Sequence, residues 1–187
     1  NNSVDKAKFE VLNHKYTDLS ETRYGVSILN DCKYGISVFG GQLRLSLHKG
    51  GLRPDFNGDK GEHYCEYAFL PHNCGFSVDS VAEPAYAFNY KPLVFAGARE
   101  LPSLISSSAS NVIIETLKPC EDGGRAFIAR VYEAEGSYTH TDLKLGFTPT
   151  AVELTNMLEE TEETLPASDK VALSLRPFEI KTVKISY

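Results

Sequence analysis

The chain has 187 residues, 42% of them apolar and 24% charged, with a formal net charge of −6. That balance is ordinary for a globular chain long enough for one large or two small domains. No block of Lys and Arg occurs, which excludes the basic surface a nucleic-acid partner needs, and no apolar run approaches the roughly 20 residues that span a bilayer.

No signal peptide is expected, and a start at Asn1 rather than Met reads as a piece of something longer. Cys32, Cys65, Cys74 and Cys120 form no Cys-x-x-Cys pair. They are read as free, mostly buried thiols of a cytoplasmic protein. The Asn1-Asn2-Ser3 sequon, at a terminus, is a weak sign of secretion.

Period-two alternation dominates and predicts strands. Leu29 to Gly35 reads as a polar turn between two apolar strands, with Gly35 available for positive φ. Ile36 and Val38, then Gly40-Gly41, then Leu43, Leu45 and Leu47 predict a β-hairpin with a tight turn. Gly50 to Gly61 is rich in Gly, Pro, Asp and Asn and reads as a long loop. His63, Cys65, Tyr67 and Phe69 predict an inward strand face that Pro71 ends. Residues 79–90 offer the only helix, with Asp79 as its cap and Pro84 uncomfortably deep. Ser103 to Ser110 reads as a linker.

Strands resume at Val112–Leu117 and return through Glu121–Gly124 to Phe127–Val131. Further strands are predicted at Leu143–Phe147, Ala151–Leu158 and Val171–Leu175, with Glu159–Glu163 as a solvated acidic turn. In the last strand Phe178 and Ile180 stand on the opposite parity to Val183, Ile185 and Tyr187, which predicts a bulge or burial on both faces. The whole predicts an all-β chain of sandwich type with one short helix near 79–90.

Chemistry is sparse. His63 with Cys65, and His72 with Cys74, have a two-residue spacing that could offer metal ligands, but their place among core-type residues favours packing. No Gly-x-Ser-x-Gly, Gly-x-Gly-x-x-Gly or phosphate loop is present.

An ordered set of segments is more specific. It runs from Ala7-Lys8-Phe9-Glu10-Val11 through Leu29-Asn30-Asp31-Cys32-Lys33-Tyr34-Gly35 and Asp59-Lys60-Gly61-Glu62-His63. It continues through Val131-Tyr132-Glu133-Ala134 with Gly136 to Leu175-Arg176-Pro177-Phe178-Glu179-Ile180. This set resembles the intracellular and bacterial type α-mannosidases of glycoside hydrolase family 38, over nearly the whole chain.

The resemblance implies a non-catalytic C-terminal β region. Residues 1–105 would be the terminal part of a galactose-mutarotase-like supersandwich, and residues 106–187 a small C-terminal β-sandwich. It implies no catalytic residue, no metal and no cofactor in this chain. The zinc and the reacting carboxylates would lie in the absent catalytic domain of the same polypeptide, which would hydrolyse a mannoside. Asn30, Asp31 and Tyr34, then Lys49, Arg53, Asp59 and His63, are the implied candidates for bordering the substrate cleft. An incomplete sheet leaves strand edges that invite association, so a homodimer is a further expectation. The alternative is an independent carbohydrate-binding sandwich, which needs exposed aromatics. A third reading, a small hydrolase using Asp59 and Glu62, fails on the separation that two such carboxyls require.

Overall fold

The computed structural model describes residues 10–51, 53–97 and 102–187. The Asn1-Asn2-Ser3 sequon and the Ala7-Lys8-Phe9 stretch lie outside them. The chain divides into two compact units, Asn1–Val94 and Phe95–Tyr187.

The first unit contains β1 (Val11–Leu12), β2 (Tyr16–Ser20), β3 (Tyr24–Asn30), β4 (Gly35–Phe39), β5 (Gln42–Leu45) and β6 (Tyr67–Asn73). A five-residue π-helical turn, Val78–Ala82, runs into the short helix α1 (Glu83–Asn89). Two antiparallel sheets form, ordered β1-β4-β5 and β2-β3-β6. The β4–β5 hairpin is the one predicted. Gly40 and Gly41 both have positive φ, 56° and 74°, as a two-residue hairpin turn of this twist demands. Val38 then pairs with Leu43, and Ile36 with Leu45.

Several expectations change in this unit. The strand after the long loop begins at Tyr67, so His63 and Cys65 precede it. Tyr67 and Phe69 are 58% and 69% exposed rather than packed inward. The better covered side of β6 is the opposite parity, Ala68, Leu70 and His72. Pro71 does not end the strand, which continues to Asn73. Pro71 sits opposite Val26 on an edge strand. The bonds from Asp31 N to Glu66 O and from Cys74 N to Arg23 O put the ladder's hydrogen-bonded pairs on the other parity. The missing N–H of Pro71 therefore falls where none is used.

The helix is where the sequence puts it, but its cap is Ser77, whose hydroxyl accepts the Ser80 N–H at 3.2 Å, not Asp79. Pro84 is in the first turn of α1 but six positions past Val78, where the continuous helical run begins, so it is as deep as the sequence suggested. Val78, Val81, Ala82 and Ala85 are buried. Gly35 does not use positive φ. A Cβ there would meet Glu10 Oε1 at 2.7 Å, so the position is small because a carboxylate approaches it.

The second unit contains β7 (Ile105–Ser107), β8 (Val112–Pro119), β9 (Ala126–Glu133), β10 (Thr139–Leu145), β11 (Ala151–Thr155), β12 (Thr161–Leu165), β13 (Lys170–Leu175) and β14 (Ile180–Ser186). A five-stranded sheet, β12-β11-β14-β9-β8, and a three-stranded sheet, β13-β10-β7, are both antiparallel. Val131, Val152, Val183 and Ile185 from the first, with Leu143, Val171 and Leu175 from the second, make one buried core. This is a β-sandwich closed by alternating inward residues, as the period-two pattern required.

Here too the structure corrects details. The serine-rich stretch is not a linker, because Ile105–Ser107 pairs with β10 and the Ser107 hydroxyl lies 2.9 Å from that of Thr141. The acidic run is a turn only to Glu160, and Thr161–Leu165 is an edge strand. Phe178 precedes β14 in a positive-φ turn, and Ile180 is exposed, so the change of parity marks the strand's entry rather than a bulge. Of the four free cysteines only Cys120 is buried, so the expectation of mostly buried thiols is wrong. Cys32 stands in the exposed turn the sequence placed it in, and Cys74 in another exposed turn just after β6.

Candidate functional site

The predicted site residues all belong to the first unit and fall into two loops. The first loop leaves β3 and returns as β4. Asn30 is wholly buried beneath it. Its Nδ2 donates to Asn13 Oδ1 at 2.6 Å, and its Oδ1 accepts the Lys33 N–H at 3.0 Å. Its backbone N–H donates to Lys15 O, and its carbonyl accepts Asn89 Nδ2 at 3.1 Å. Asn13 completes the frame by donating Nδ2 to Lys33 O at 3.2 Å and its N–H to Tyr34 O at 2.8 Å. A buried amide with its donors and acceptors met specifies one loop conformation, because any rearrangement strands polar groups.

On that frame Tyr34 faces outward and Asp31 is half-buried. The Tyr34 ring stacks on His14, with centroids 5.1 Å apart. Asp31 has one carboxylate oxygen, Oδ1, buried without a hydrogen-bond partner among the described residues. A bond from the Cys32 thiol, aided by backbone N–H groups, holds the Asp31 carboxyl below its ordinary value. The same carboxylate pushes the Cys32 thiol up.

Lys49 stands at the Gly35 end of this loop through Glu10. Lys49 Nζ lies 3.5 Å from Glu10 Oε2, and the Ser46 hydroxyl donates to Glu10 Oε1 at 2.5 Å. The Ser46 bond and then the Lys49 charge lower the Glu10 carboxyl. The second loop holds Arg53, Asp59 and His63, all exposed. His63 Nε2 lies 2.8 Å from Asp59 O, and its ring sits 4.7 Å from that of His48. Arg53 is not brought to either group by any such contact among the described residues. The two loops meet through the segment after His63. Asp31 N donates to Glu66 O at 3.2 Å, and Cys32 Sγ lies 3.8 Å from Tyr64 O. Lys91 Nζ closes this edge on Glu66 Oε2 at 3.2 Å.

Asn13, His14 and Asn89 belong to this site and were not singled out from the sequence. Each is a single polar residue beside a strand or inside a short helix, without a motif to mark it. Behind the sheet Asp18 is a second polar centre. It accepts from Ser27 at 2.6 Å, Ser20 at 2.7 Å and pairs with His72 Nε2 at 2.7 Å. Burial would raise the Asp18 carboxyl, but these bonds outweigh it and lower it.

An open apolar trough lies beside the site. Leu19, Tyr24, Val26, Ile28, Leu43 and Phe69 line about 610 Å³ of it. A continuation of about 360 Å³ shares Ile28 and Phe69 and reaches Leu45, Leu47 and Tyr67. No group of three or more His, Cys, Asp or Glu side chains among the described residues is placed to hold a metal ion. No helix among them is long and apolar enough to cross a membrane.

Two family descriptions match in chain order: the glycosyl hydrolases family 38 C-terminal domain over residues 1–57 and the family 38 C-terminal beta sandwich domain over residues 111–183. Alpha-mannosidase G of Dictyostelium discoideum is 33% identical over 98% of this chain. Human alpha-mannosidase 2C1 is 36% identical over 96% of it, and a Saccharomyces cerevisiae alpha-mannosidase 34% over all of it. The chain spans only 18%, 18% and 20% of those proteins' lengths. A crystal structure of an alpha-mannosidase from Enterococcus faecalis V583 has the same fold, with a TM-score of 0.74 at 17% identity, over 95% of this chain and 21% of that one.

Proposed function

We propose, for a chain that belongs to the C-terminal region of glycosyl hydrolase family 38, a supporting role in an α-mannosidase whose catalytic domain lies elsewhere in the same polypeptide. The observation that carries this reading is the apolar trough. Leu19, Tyr24, Val26, Ile28, Leu43 and Phe69 line an open, largely apolar trough, the kind of exposed surface that marks an interaction site. Further chain laid into it would remove that surface from water. On this reading residues 1–105 complete a mutarotase-like supersandwich and residues 106–187 form the terminal sandwich.

The braced first loop would then border the substrate cleft. Tyr34 offers an exposed ring for a sugar's apolar face, and the half-buried Asp31 a carboxylate of the kind that binds its hydroxyls, though its unpartnered Oδ1 is buried. Lys49, Asp59 and His63 would stand further out along the same edge, with Arg53 an exposed residue of the second loop. Zinc and the reacting carboxylates belong to the upstream domain, and the substrate is a terminal α-linked mannoside. The free thiols support a cytoplasmic location.

The test is an assay with a chromogenic α-mannoside on the full-length protein and on this chain alone, each with and without zinc. Turnover by the first and none by the second is expected. Turnover by the isolated chain would overturn the reading.

One observation favours the carbohydrate-binding alternative: Tyr64, Tyr67 and Phe69 are exposed close together along the sequence. Mannoside binding to this chain in calorimetry, lost on replacing Tyr67, would support that alternative.

A further inference from the structure

Two of the exposed turns' features meet at one point. β3 and β6 pair antiparallel with Asn30 opposite Tyr67. The ladder continues one step past both strands, because Asp31 N donates to Glu66 O at 3.2 Å. In the same register the next opposed pair is Cys32 and Cys65. Asp31 and Glu66 make this one bond of a hydrogen-bonded pair, and beyond them the regular strands have ended, with Cys32 in a bend and Cys65 in the segment before β6. If the register were carried one step on, the two cysteines would take a non-hydrogen-bonded position, where opposed Cα atoms stand about 4.5 Å apart and side chains share one face. A disulfide spans Cα separations of about 4.4–6.8 Å. Cys32 Sγ already lies 3.8 Å from the carbonyl oxygen of Tyr64, the residue before Cys65. Both thiols are free, Cys32 is exposed and Cys65 half-buried. Cys74, in contrast, is held opposite Arg23 and has no cysteine across the ladder.

We propose that Cys32 and Cys65 are a reversible cross-strand disulfide site, closed by exchange with a small disulfide of the glutathione class, which fastens the first loop to the segment before β6. One cysteine's thiolate attacks the small disulfide, whose S–S bond breaks and releases one small thiol, leaving a mixed disulfide on the protein. The second thiolate attacks the protein-bound sulfur and releases the other small thiol. Two protein thiols are oxidised to one disulfide while one small disulfide is reduced to two thiols. A reducing thiol pool reverses both steps. Because the Asp31 carboxylate pushes the Cys32 thiol up, closure speeds up as pH rises. The bond ties Asp31 and Tyr34 to the His63 side of the edge. Any effect on a substrate cleft rests on the function proposed above, but the bond itself does not.

The test equilibrates the full-length protein in buffers of rising oxidised-to-reduced glutathione ratio, quenches with acid, alkylates and maps peptides by mass spectrometry. The expected result is a Cys32–Cys65 linked peptide as the main oxidised form of both residues. Cys65→Ser should leave Cys32 only as a mixed disulfide, as Cys74 is in the unaltered protein. Recovery of Cys32 and Cys65 as free thiols or as separate glutathione adducts across the whole range would overturn the proposal. Loss of activity without the linked peptide would overturn it equally, and would not bear on the α-mannosidase reading.

Discussion

The carboxylate of Glu133, at the end of β9, accepts the backbone N–H of Phe178 at 3.0 Å, across 45 residues of sequence. The same oxygen accepts Gly136 N–H at 2.8 Å, while the other accepts Glu135 N–H and Asn111 Nδ2, both at 2.9 Å. Gly136 has φ 75°, and a Cβ there would lie 2.9 Å from the Phe178 ring. Phe178 itself has φ 58°. One buried acid therefore holds two positive-φ turns together, of which only that at Phe178 is strained. Burial would raise its carboxyl, but the N–H of Phe178 and the other donors outweigh that and lower it.

Glu133→Ala should accordingly be among the costliest single changes in the second unit. It strands four donors, and each buried donor left unmet costs about 1–3 kcal/mol, less whatever water restores. A net loss of at least about 3 kcal/mol is expected, which lowers the melting temperature of a unit this size by about 10 °C or more. Glu133→Gln should recover only part, since its NH₂ group faces donors. Thermal unfolding of the three proteins checks the order.

Acid should unfold this unit through the same kind of group. Glu159, 10% exposed at its side chain, accepts the Glu121 N–H and pairs with Lys118, which takes its pKa down to about 2. The Lys184 bond takes Asp122 to about 2 as well. A carboxyl whose folded pKa lies below its unfolded one stabilises fully above the unfolded value, near 4.5 for Glu159. That contribution is lost as pH falls toward 2. Lys118 and Lys184 are raised, so their contribution is complete below about 10.5 and is lost only in alkali beyond it. Urea midpoints should thus be flat from pH 5 to 10 as far as these groups go, and fall below pH 4.5. Glu159→Gln should flatten the acid limb more than Asp122→Asn, because Asp122 is 58% exposed and solvent screens its pair.

The first loop permits a split between framework and surface. Asn30→Ala removes the buried amide that bonds Asn13 and the Lys33 N–H, and should destabilise the first unit by about 1–3 kcal/mol. Tyr34→Ala touches an exposed position and Asp31→Ala a half-buried one whose Oδ1 has no partner to lose among the described residues, so both should shift stability less than Asn30→Ala, Tyr34→Ala by no more than about 0.5 kcal/mol. If the loop borders a cleft, the latter two raise KM in the full-length protein by several-fold with the fold intact. Hydrogen exchange of the β3 and β4 amides measures the first effect, and steady-state kinetics the second.

How far the sequence disclosed this depends on what each residue answers to. The Gly40-Gly41 hairpin was legible because only a positive-φ pair makes that turn, and the second unit's strands were legible because a closed sandwich makes parity and burial coincide. Tyr67 and Phe69 misled for the converse reason: they alternate like core residues but face an open trough, where parity and burial do not coincide. Glu159 looked like one of four solvated acids. What sets it apart is Lys118 and the Glu121 N–H, contributed from about 40 positions away, and no local pattern carries that. Asn30 was reached through the resemblance as a cleft candidate. The structure adds that its side chain works from beneath the loop.

Gly25 offers the sharpest test of the polar centre behind β3. It sits opposite His72 in the ladder, and a Cβ built on it would collide with the His72 imidazole and with Ser20 Cβ. His72 cannot move aside freely, since its side chain is 4% exposed and its Nε2 is bound to Asp18, which Ser20 and Ser27 also hold. Gly25→Ala should therefore cost about 1–3 kcal/mol by overpacking, despite being a strand position where alanine is intrinsically the better residue. If the collision with His72 is the cause, the same substitution in a His72→Ala background should cost markedly less, a coupling that a double-mutant cycle reads directly. The measurement is hydrogen exchange of the β2 and β3 amides in the four proteins. An equal penalty in both backgrounds would move the clash to Ser20 and leave the histidine a bystander.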